Sequence, residues 1–476
     1  MKKDRRDFIK LAGLAGLTLG GASVLPLNAA INEGSGPDHI RRQAMKDHPQ
    51  KFNMSGYSAP GIETVRIGCI GLGNRGSGAI ARLSKIGGVE IKALCDIREE
   101  KTSGAKKRLE GTGHSPELYN DNKDVWKKVC ERNDIDLIYI ATPWALHTPM
   151  AVYAMDQGKH VCVEVPAATT LEECWQLVET SERTRRHCMM LENCCYDFFE
   201  LLTLNMARQG FFGEIVHAEG AYIHDLLEGD FSKTKYYDFW RLRMDAGRQG
   251  NLYPTHGLGP VCQAMNINRG DKMDYLVSVS SNDFMMADMA KELAAKDDTY
   301  KQFAGKSFNG NMNTTTIRTS LGKTIMVQHD VTSPRPYSRI HLLSGTKGTA
   351  QKYPLPARIS TSHNGWLPDA EFKELEVKYM PPLVKRVGEL AKQVGGHGGM
   401  DFLMDWRTID CLRNGLPLDQ DVYDAALWSS VFPLSEWSVQ NRSNSIDVPD
   451  FTGGSWKTNT PVDISMAKGG NTEVRL

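Results

Sequence analysis

The chain has 476 residues, 41% of them hydrophobic and 24% charged, a composition that excludes wholesale disorder and suits a globular enzyme of two or three domains. Lys plus Arg and Asp plus Glu balance at 57 each, so no basic field is available to attract nucleic acid or an anionic membrane surface. Small molecules and glycans are the partners that remain.

Taken in chain order, the first ten residues, MKKDRRDFIK, are basic, and the following LAGLAGLTLGGASVLPLNAA is mildly apolar, glycine-rich and closes on small residues. Residues 1–30 therefore read as a removable export signal, too short and too weakly apolar to span a bilayer. Arg5-Arg6 followed by Phe8, Ile9 and Lys10 gives it the twin-arginine type, which moves proteins that have already folded and predicts a periplasmic destination. Cysteine usage agrees with folding in a reducing compartment. The ten cysteines are scattered, none at the paired spacing of a zinc site, and most lie in apolar runs where a thiol acts as a small hydrophobe. No metal site is expected. Residues 31–63 are polar and punctuated by Pro and Gly, which predicts a linker or a surface-hugging arm.

From Val65 the texture changes. VRIGCIGLG, VEIKALCDI, DLIYIAT, HVCVEVP and CMMLENC are short apolar runs, and segments of helical spacing separate most of them. Thr170-x-x-Glu173 opens one of those segments with a capping-box pattern. Strands alternating with helices imply right-handed crossovers and a doubly wound parallel sheet, so residues 64–196 are expected to form a Rossmann domain. Residues 197–476 are expected to form an α+β substrate domain with a largely antiparallel open sheet. GEIVHAEGAYIHD, MDYLVSVSSND and TTTIRTSLGKTIMVQHD are its longer strands, with LGK as a hairpin turn. The runs from HGGMDFLMDWRTIDCLRNG to DVYDAALWSSVFPLSEWSVQNR predict two amphipathic helices, their Trp and Met residues in the core, that pack back on the Rossmann domain.

The glycines of GLGNRG, Gly71, Gly73 and Gly76, stand between a strand and a helix, and Asp96 lies twenty positions beyond the last of them. That context is a dinucleotide fingerprint: glycines for a tight turn and close approach, a helix N-terminus for pyrophosphate, and an acid for the ribose hydroxyls. Arg75 adds positive charge to the turn. Asp96 favours NAD, while Arg98 nearby is the residue that could receive the 2′-phosphate of NADP.

With the fingerprint, ATPWALH (Ala141–His147), Glu164-Val165-Pro166 and the LEN that ends at Asn193 resemble, in order, the landmarks of the Gfo/Idh/MocA oxidoreductase-like superfamily. Within it, GLGNRG, EVP, LENCCYD and NLYPTHGLGP together resemble glycoside hydrolase family 109, the NAD-dependent α-N-acetylgalactosaminidases. The resemblance spans essentially the whole chain after the signal. It implies NAD contacts by Asn74, Arg75, Trp144, His147, Glu164, Val165 and Asn193 beside the glycines and Asp96. It also implies substrate contacts by Tyr222, Arg241, Tyr253, His256 and Tyr337, with Trp240 as a stacking wall.

The chemistry implied is redox-neutral release of terminal α-N-acetylgalactosamine with retention: oxidation at carbon 3, elimination, addition of water, and reduction. Sugar dehydrogenases of the superfamily carry a lysine where Val165 stands, so Val165 becomes either a wall beneath the cofactor or a plain strand residue. Proton transfer then falls to His256, Tyr196 and Glu164, with the division of labour open. The alternative is an exported NAD(P)-dependent sugar dehydrogenase with net oxidation. A homodimer through the second sheet is the corresponding family expectation.

Overall fold

The computed structural model describes residues 37–461 and 463–476. The segment expected to be a twin-arginine-type signal and the first residues of the expected arm lie outside the described residues.

Six strands, β1 (Val65–Ile70), β2 (Val89–Cys95), β3 (Glu117–Tyr119), β4 (Leu137–Ile140), β5 (His160–Val163) and β6 (Cys188–Met190), form a parallel sheet in the order β3-β2-β1-β4-β5-β6. All residues of β4 and β5 are buried. Helices cover both faces of such a sheet, and for that reason these strands read as continuous apolar runs with no alternation. The chain winds outward from β1 in both directions, and a crevice opens at that reversal, beyond the carboxyl ends of β1 and β4. The helix Leu171–Thr184 begins with the expected box, Thr170 accepting from the Glu173 amide and Glu173 returning to the Thr170 amide.

The second sheet has eight strands: β7 (Ile215–Ile223), β8 (Met273–Ser280), β9 (Asn313–Thr319), β10 (Thr324–Asp330), β11 (Leu342–Gly345), β12 (Thr349–Gln351), β13 (Arg358–Ser360) and β14 (Ile446–Asp447). Their order is β13-β12-β11-β7-β10-β9-β8-β14. Every pair is antiparallel except β7 with β10, and the LGK segment makes the β9–β10 hairpin.

The two C-terminal helices depart from the amphipathic expectation. Met400–Asn414 is buried from Met400 through Leu412, and Val422–Gln440 is buried over most of its circumference. The first rests on helix Asn74–Leu83 and β1, and the chain terminus covers it, with Trp406 Nε1 donating to the Thr472 carbonyl. The second lies between helix Leu171–Thr184 and β8. Ion pairs make this burial tolerable, among them Arg82 with Asp405 at 2.7 Å and Arg269 with Asp424 at 2.6 Å.

Ahead of β1 the chain forms a short helix, Pro37–Ala44, that sits on helix Leu171–Thr184. His48 pairs with Glu182 at 2.8 Å, and Tyr423 donates to the same carboxylate at 2.9 Å, so residues 37–63 form a docked arm. All ten cysteines are buried and free. No described helix is long and apolar enough to cross a membrane.

Candidate active site

The glycine turn is shaped for a dinucleotide. Gly71 has φ +88°, and a Cβ there would meet the Ala141 carbonyl at 2.5 Å. A Cβ on Gly76 would meet the Gly71 carbonyl at 1.9 Å, which locks the helix start against the strand end. At Gly73 a Cβ would meet only the Arg98 guanidinium, at 3.8 Å, so the chain has an open side here at which a pyrophosphate can approach the backbone. Helix Asn74–Leu83 has no side-chain N-cap and no acid in its first turn, leaving its leading amides free for phosphate. These residues fit the cofactor. Asp96 accepts from the Leu72 amide at 2.8 Å, and Arg98 turns its guanidinium onto Asp96 at 3.1 Å and over the Tyr237 ring at 4.7 Å. The arginine that could have met a 2′-phosphate is thus engaged with the acid beside it.

Across the crevice, Arg75 joins β5 to the helix Met400–Asn414. Its Nε donates to Glu164 at 2.8 Å and its Nη1 to Asp401 at 3.1 Å. Burial opposes the charge on Arg75, but Glu164 and Asp401 outweigh burial and hold its pKa well above the ordinary value. Asn193, beyond β6, donates to the other oxygen of Asp401. Val165 is buried and precedes Pro166 through a cis peptide. His147 is buried, with its two ring nitrogens each 2.7 Å from a carbonyl, Pro166 on one side and Thr142 on the other. It therefore ties the ends of β4 and β5 together.

The sugar end centres on His256, near the start of helix Thr255–Ala264. A Cβ on Gly257 would meet the Ala221 amide at 2.5 Å, and one on Gly220 would meet the Gly257 carbonyl at 2.2 Å. Glycine at both positions lets the helix start lie directly on β7 and sets His256 beside Tyr222. His256 Nδ1 lies 2.7 and 2.9 Å from the two oxygens of Glu192. Burial alone would raise the pKa of Glu192, but contact with His256 holds it below the ordinary carboxylate value. The ionised Glu192 fixes the proton on Nδ1. Nε2 then remains as the basic atom, and among the described residues it has no hydrogen-bond partner.

Around this pair stand Tyr222 and Tyr253, their rings 5.3 and 5.0 Å from the His256 ring and 4.6 Å from each other. Burial pushes the Tyr222 hydroxyl up to about 12 and Tyr253 well above its ordinary value, so both stay protonated donors. Trp144 stacks on Tyr253 at 5.5 Å and meets Trp240 edge-on, and Arg241 lies over both Trp144 and Tyr253 at 5.0 and 5.1 Å. Tyr337 stands at the rim, with its ring 5.1 Å from His224 and its hydroxyl accepting from Arg339. Behind Arg241 sits the fully buried Asp230, 3.7 Å away, with both carboxylate oxygens and Arg241 Nε unpartnered. Burial raises the pKa of Asp230, and burial together with Asp230 raises that of Asp245.

Of the residues expected to act on the sugar, the structure brings together His256, Tyr222, Tyr253 and Arg241. Tyr337 lies beside them, and Glu164 stands across the crevice. Tyr196 lies elsewhere: its buried hydroxyl donates to Asp419 at 3.2 Å, inside the Arg407–Asp419 pair. Burial and then Asp419 push its pKa well above the ordinary value, the opposite of what a base requires. Glu192, Asp230 and Asp401 escaped the sequence reading. Glu192 carried a signal, a glutamate inside the apolar run MMLENCC, since a charge there needs a buried partner. Glu192, Cys194 and His256 also bring ligating atoms within 4.8 Å of one another, but the carboxylate already bonds the histidine and burial keeps the thiol protonated.

Residues 65–192 match the model of the oxidoreductase family, NAD-binding Rossmann fold, and residues 196–458 match that of the glycosyl hydrolase 109, C-terminal domain. An alpha-N-acetylgalactosaminidase of Bacteroides fragilis is 51% identical over 414 residues, covering 86% of this chain and 97% of that protein. A glycosyl hydrolase family 109 protein of Porphyromonas gingivalis is 46% identical over 458 residues, covering 93% and 95%. Among solved structures, scyllo-inositol dehydrogenase from Lactobacillus casei with bound NAD(H) and scyllo-inositol superposes with a TM-score of 0.57 at 14% identity, covering 81% of this chain and 99% of that one. That likeness is one of fold.

Proposed function

The chain belongs to glycosyl hydrolase family 109, and from that premise we propose that it releases terminal α-linked N-acetylgalactosamine from glycans by a redox-neutral route with retention of configuration. The observation that carries the reading is the Glu192–His256 pair, set in a ring of tyrosines beside an NAD-binding crevice.

NAD held on the glycine turn supplies a reversible hydride acceptor for carbon 3 of the sugar. His256 Nε2, oriented through Nδ1 by Glu192, takes the carbon 3 hydroxyl proton and later returns it. A carbonyl at carbon 3 acidifies the hydrogen on carbon 2. Glu164 is the base for that hydrogen: Arg75 bonds its Oε1, and its Oε2 has no partner among the described residues. Loss of the glycosidic oxygen from carbon 1 completes an elimination, and water then adds at the same carbon. Val165 has no proton to give, and the histidine–glutamate pair takes over the work a lysine does in dehydrogenases of this fold. The protonated Tyr222 and Tyr253 and the cationic Arg241 bind sugar hydroxyls and the acetamido carbonyl, with Trp144 as an apolar wall.

The Arg5-Arg6 segment supports export of the folded, NAD-loaded protein, and the open second sheet is the surface through which a homodimer would form. Cleavage of an aryl α-N-acetylgalactosaminide in deuterium oxide tests the route. The expected product is α-configured on release, carries deuterium at carbon 2 and leaves no accumulated NADH. Cleavage without deuterium at carbon 2 overturns the elimination, and one stable NADH per substrate makes the protein a dehydrogenase.

A further inference from the structure

Arg241 stands in the wall of the sugar pocket, and a loop that begins at Asp230 brings it there. The short helix Leu227–Asp230 ends on Asp230, and the chain returns through Asp238 and Phe239 to Arg241 in the helix Trp240–Asp245. Asp238 and Phe239 make that return at φ +51° and +52°, a conformation that residues with side chains seldom adopt. Phe231 at one end of the loop, and Phe239 and Leu242 at the other, share a buried apolar cluster with Tyr300, whose hydroxyl donates to the Phe231 carbonyl at 2.7 Å. The cluster is separate from the main core. It fixes both ends of the loop and so sets Asp230 behind Arg241.

The contact that results is incomplete. Asp230 Oδ1 lies 3.7 Å from Arg241 Nε, outside hydrogen-bonding range, and neither Nε nor either oxygen of the fully buried Asp230 has a partner. Packing alone gives no reason for a carboxylate here, because a buried charge without a hydrogen bond costs stability that an uncharged side chain would not. In front, the guanidinium lies over the rings of Trp144, Tyr253 and Tyr236, at 5.0, 5.1 and 5.6 Å. It is held between aromatic faces and one carboxylate. Besides Arg241, the titratable groups facing Asp230 are Lys235 in the loop, Asp245 on the helix of Arg241, and Tyr222 and Tyr236. Arg248 faces Asp245 in turn. Burial raises the pKa of Asp230 to about 6 against the pull of Arg241 and Lys235, and burial with the charge of Asp230 raises Asp245 further. At neutral pH the negative charge of the two acids therefore sits on Asp230.

We propose that Asp230 is a positioning residue for substrate binding: its carboxylate holds the Nε edge of Arg241, so that the rest of the guanidinium faces the sugar in one orientation before the sugar arrives. Asp230 acts only through Arg241. Because the hold is by charge across 3.7 Å and not by a hydrogen bond, the guanidinium stays free to settle onto the ligand. The inference rests on the glycosidase reading above, in which Arg241 binds the sugar.

The test uses the full, NAD-loaded protein and Asp230→Asn, which keeps the shape of the side chain and removes its charge. Asp245, freed of its neighbour's repulsion, can then ionise and balance Arg241, so the melting temperature is expected within about 4 °C of the parent's. On a nitrophenyl α-N-acetylgalactosaminide, KM is expected to rise about thirtyfold and kcat to fall less than about threefold, with bound NAD per chain unchanged. Calorimetry with free N-acetylgalactosamine is expected to show the same loss of affinity. In the parent, KM rises as the pH falls through about 6, where Asp230 takes up a proton and its hold on Arg241 lapses; in the variant, KM is high and flat. A structural role alone would move stability without giving KM that pH dependence. Unchanged KM, or a loss carried by kcat, overturns the proposal. If the variant does not fold, the parent decides: a KM that stays flat between about pH 5 and 8 overturns the proposal, and a rise on the acid side upholds it. A parent that cleaves nothing overturns the glycosidase reading instead, and the calorimetry then still tests Asp230.

Discussion

The two ends of the cleft satisfy their charges differently. At the nucleotide end each charged side chain has an opposite partner in hydrogen-bonding range: Arg75 with Glu164 and Asp401, Arg82 with Asp405, Arg98 with Asp96. At the sugar end, Asp230 is buried with neither oxygen bonded, and Arg241 Nε, Asn251 Nδ2 and His329 Nδ1 are likewise buried without partners. A buried polar group left unpaired costs about 1–3 kcal/mol. Most of that cost falls where a ligand rich in hydroxyls arrives and departs, whereas among the ion-paired side chains of the nucleotide end only Arg82 Nη2 bears it. One end is a frame and the other a receptor.

If that contrast holds, damage at the sugar end removes activity and leaves cofactor and fold intact. His256→Asn is expected to lower kcat/KM by about a thousandfold and Glu192→Gln by about a hundredfold, within the range of one acid/base group, with bound NAD unchanged. Nucleotide content by chromatography and turnover on the nitrophenyl glycoside are the two measurements. Loss of NAD in either variant would break the division between the ends.

The glycine turn sharpens the contrast further, because two glycines three residues apart do different work. Gly76→Ala forces a methyl group into the Gly71 carbonyl and is expected to destabilise the fold by about 3 kcal/mol. Gly73→Ala brings its methyl group only into ordinary contact with the Arg98 guanidinium, at 3.8 Å. Its melting temperature without nucleotide is expected to match the parent's, and its NAD affinity to fall about tenfold, or about 1.4 kcal/mol. Equal melting temperatures for the two variants would show that the turn is not packed as described.

What the sequence disclosed follows from the range of the interactions involved. The glycine fingerprint and the strands β1, β2, β4, β5 and β6 are local features and were legible, whereas β3, three residues long and without a buried run, was not. His256 was legible in YPTH, but its partner Glu192 is 64 residues away, and only the fold joins them. Arg75 read as a free charge for pyrophosphate because Asp401 lies 326 residues further along the chain. The same blindness misplaced the two C-terminal helices. An amphipathic pattern implies a polar face in water, yet Asp401 and Asp405 are buried and arginines from another element pair with both of them in the interior.

Tyr196 gives the smallest effect and the closest check on where the chemistry sits. In LENCCYD it follows the strand that leads to the nicotinamide end, and the family resemblance made it one of the three candidates for proton transfer. Its hydroxyl instead donates to Asp419, whose carboxylate Arg407 also holds, and Tyr196 lines a small pocket together with Leu201, Leu204 and Gln263. Tyr196→Phe keeps that packing and removes one hydrogen bond. The expected cost is about 1 kcal/mol of stability, with turnover within about twofold of the parent. Stability is read from denaturant unfolding and turnover from sugar release. A loss of a hundredfold or more at unchanged stability would return the base role to Tyr196 and take it from Glu164.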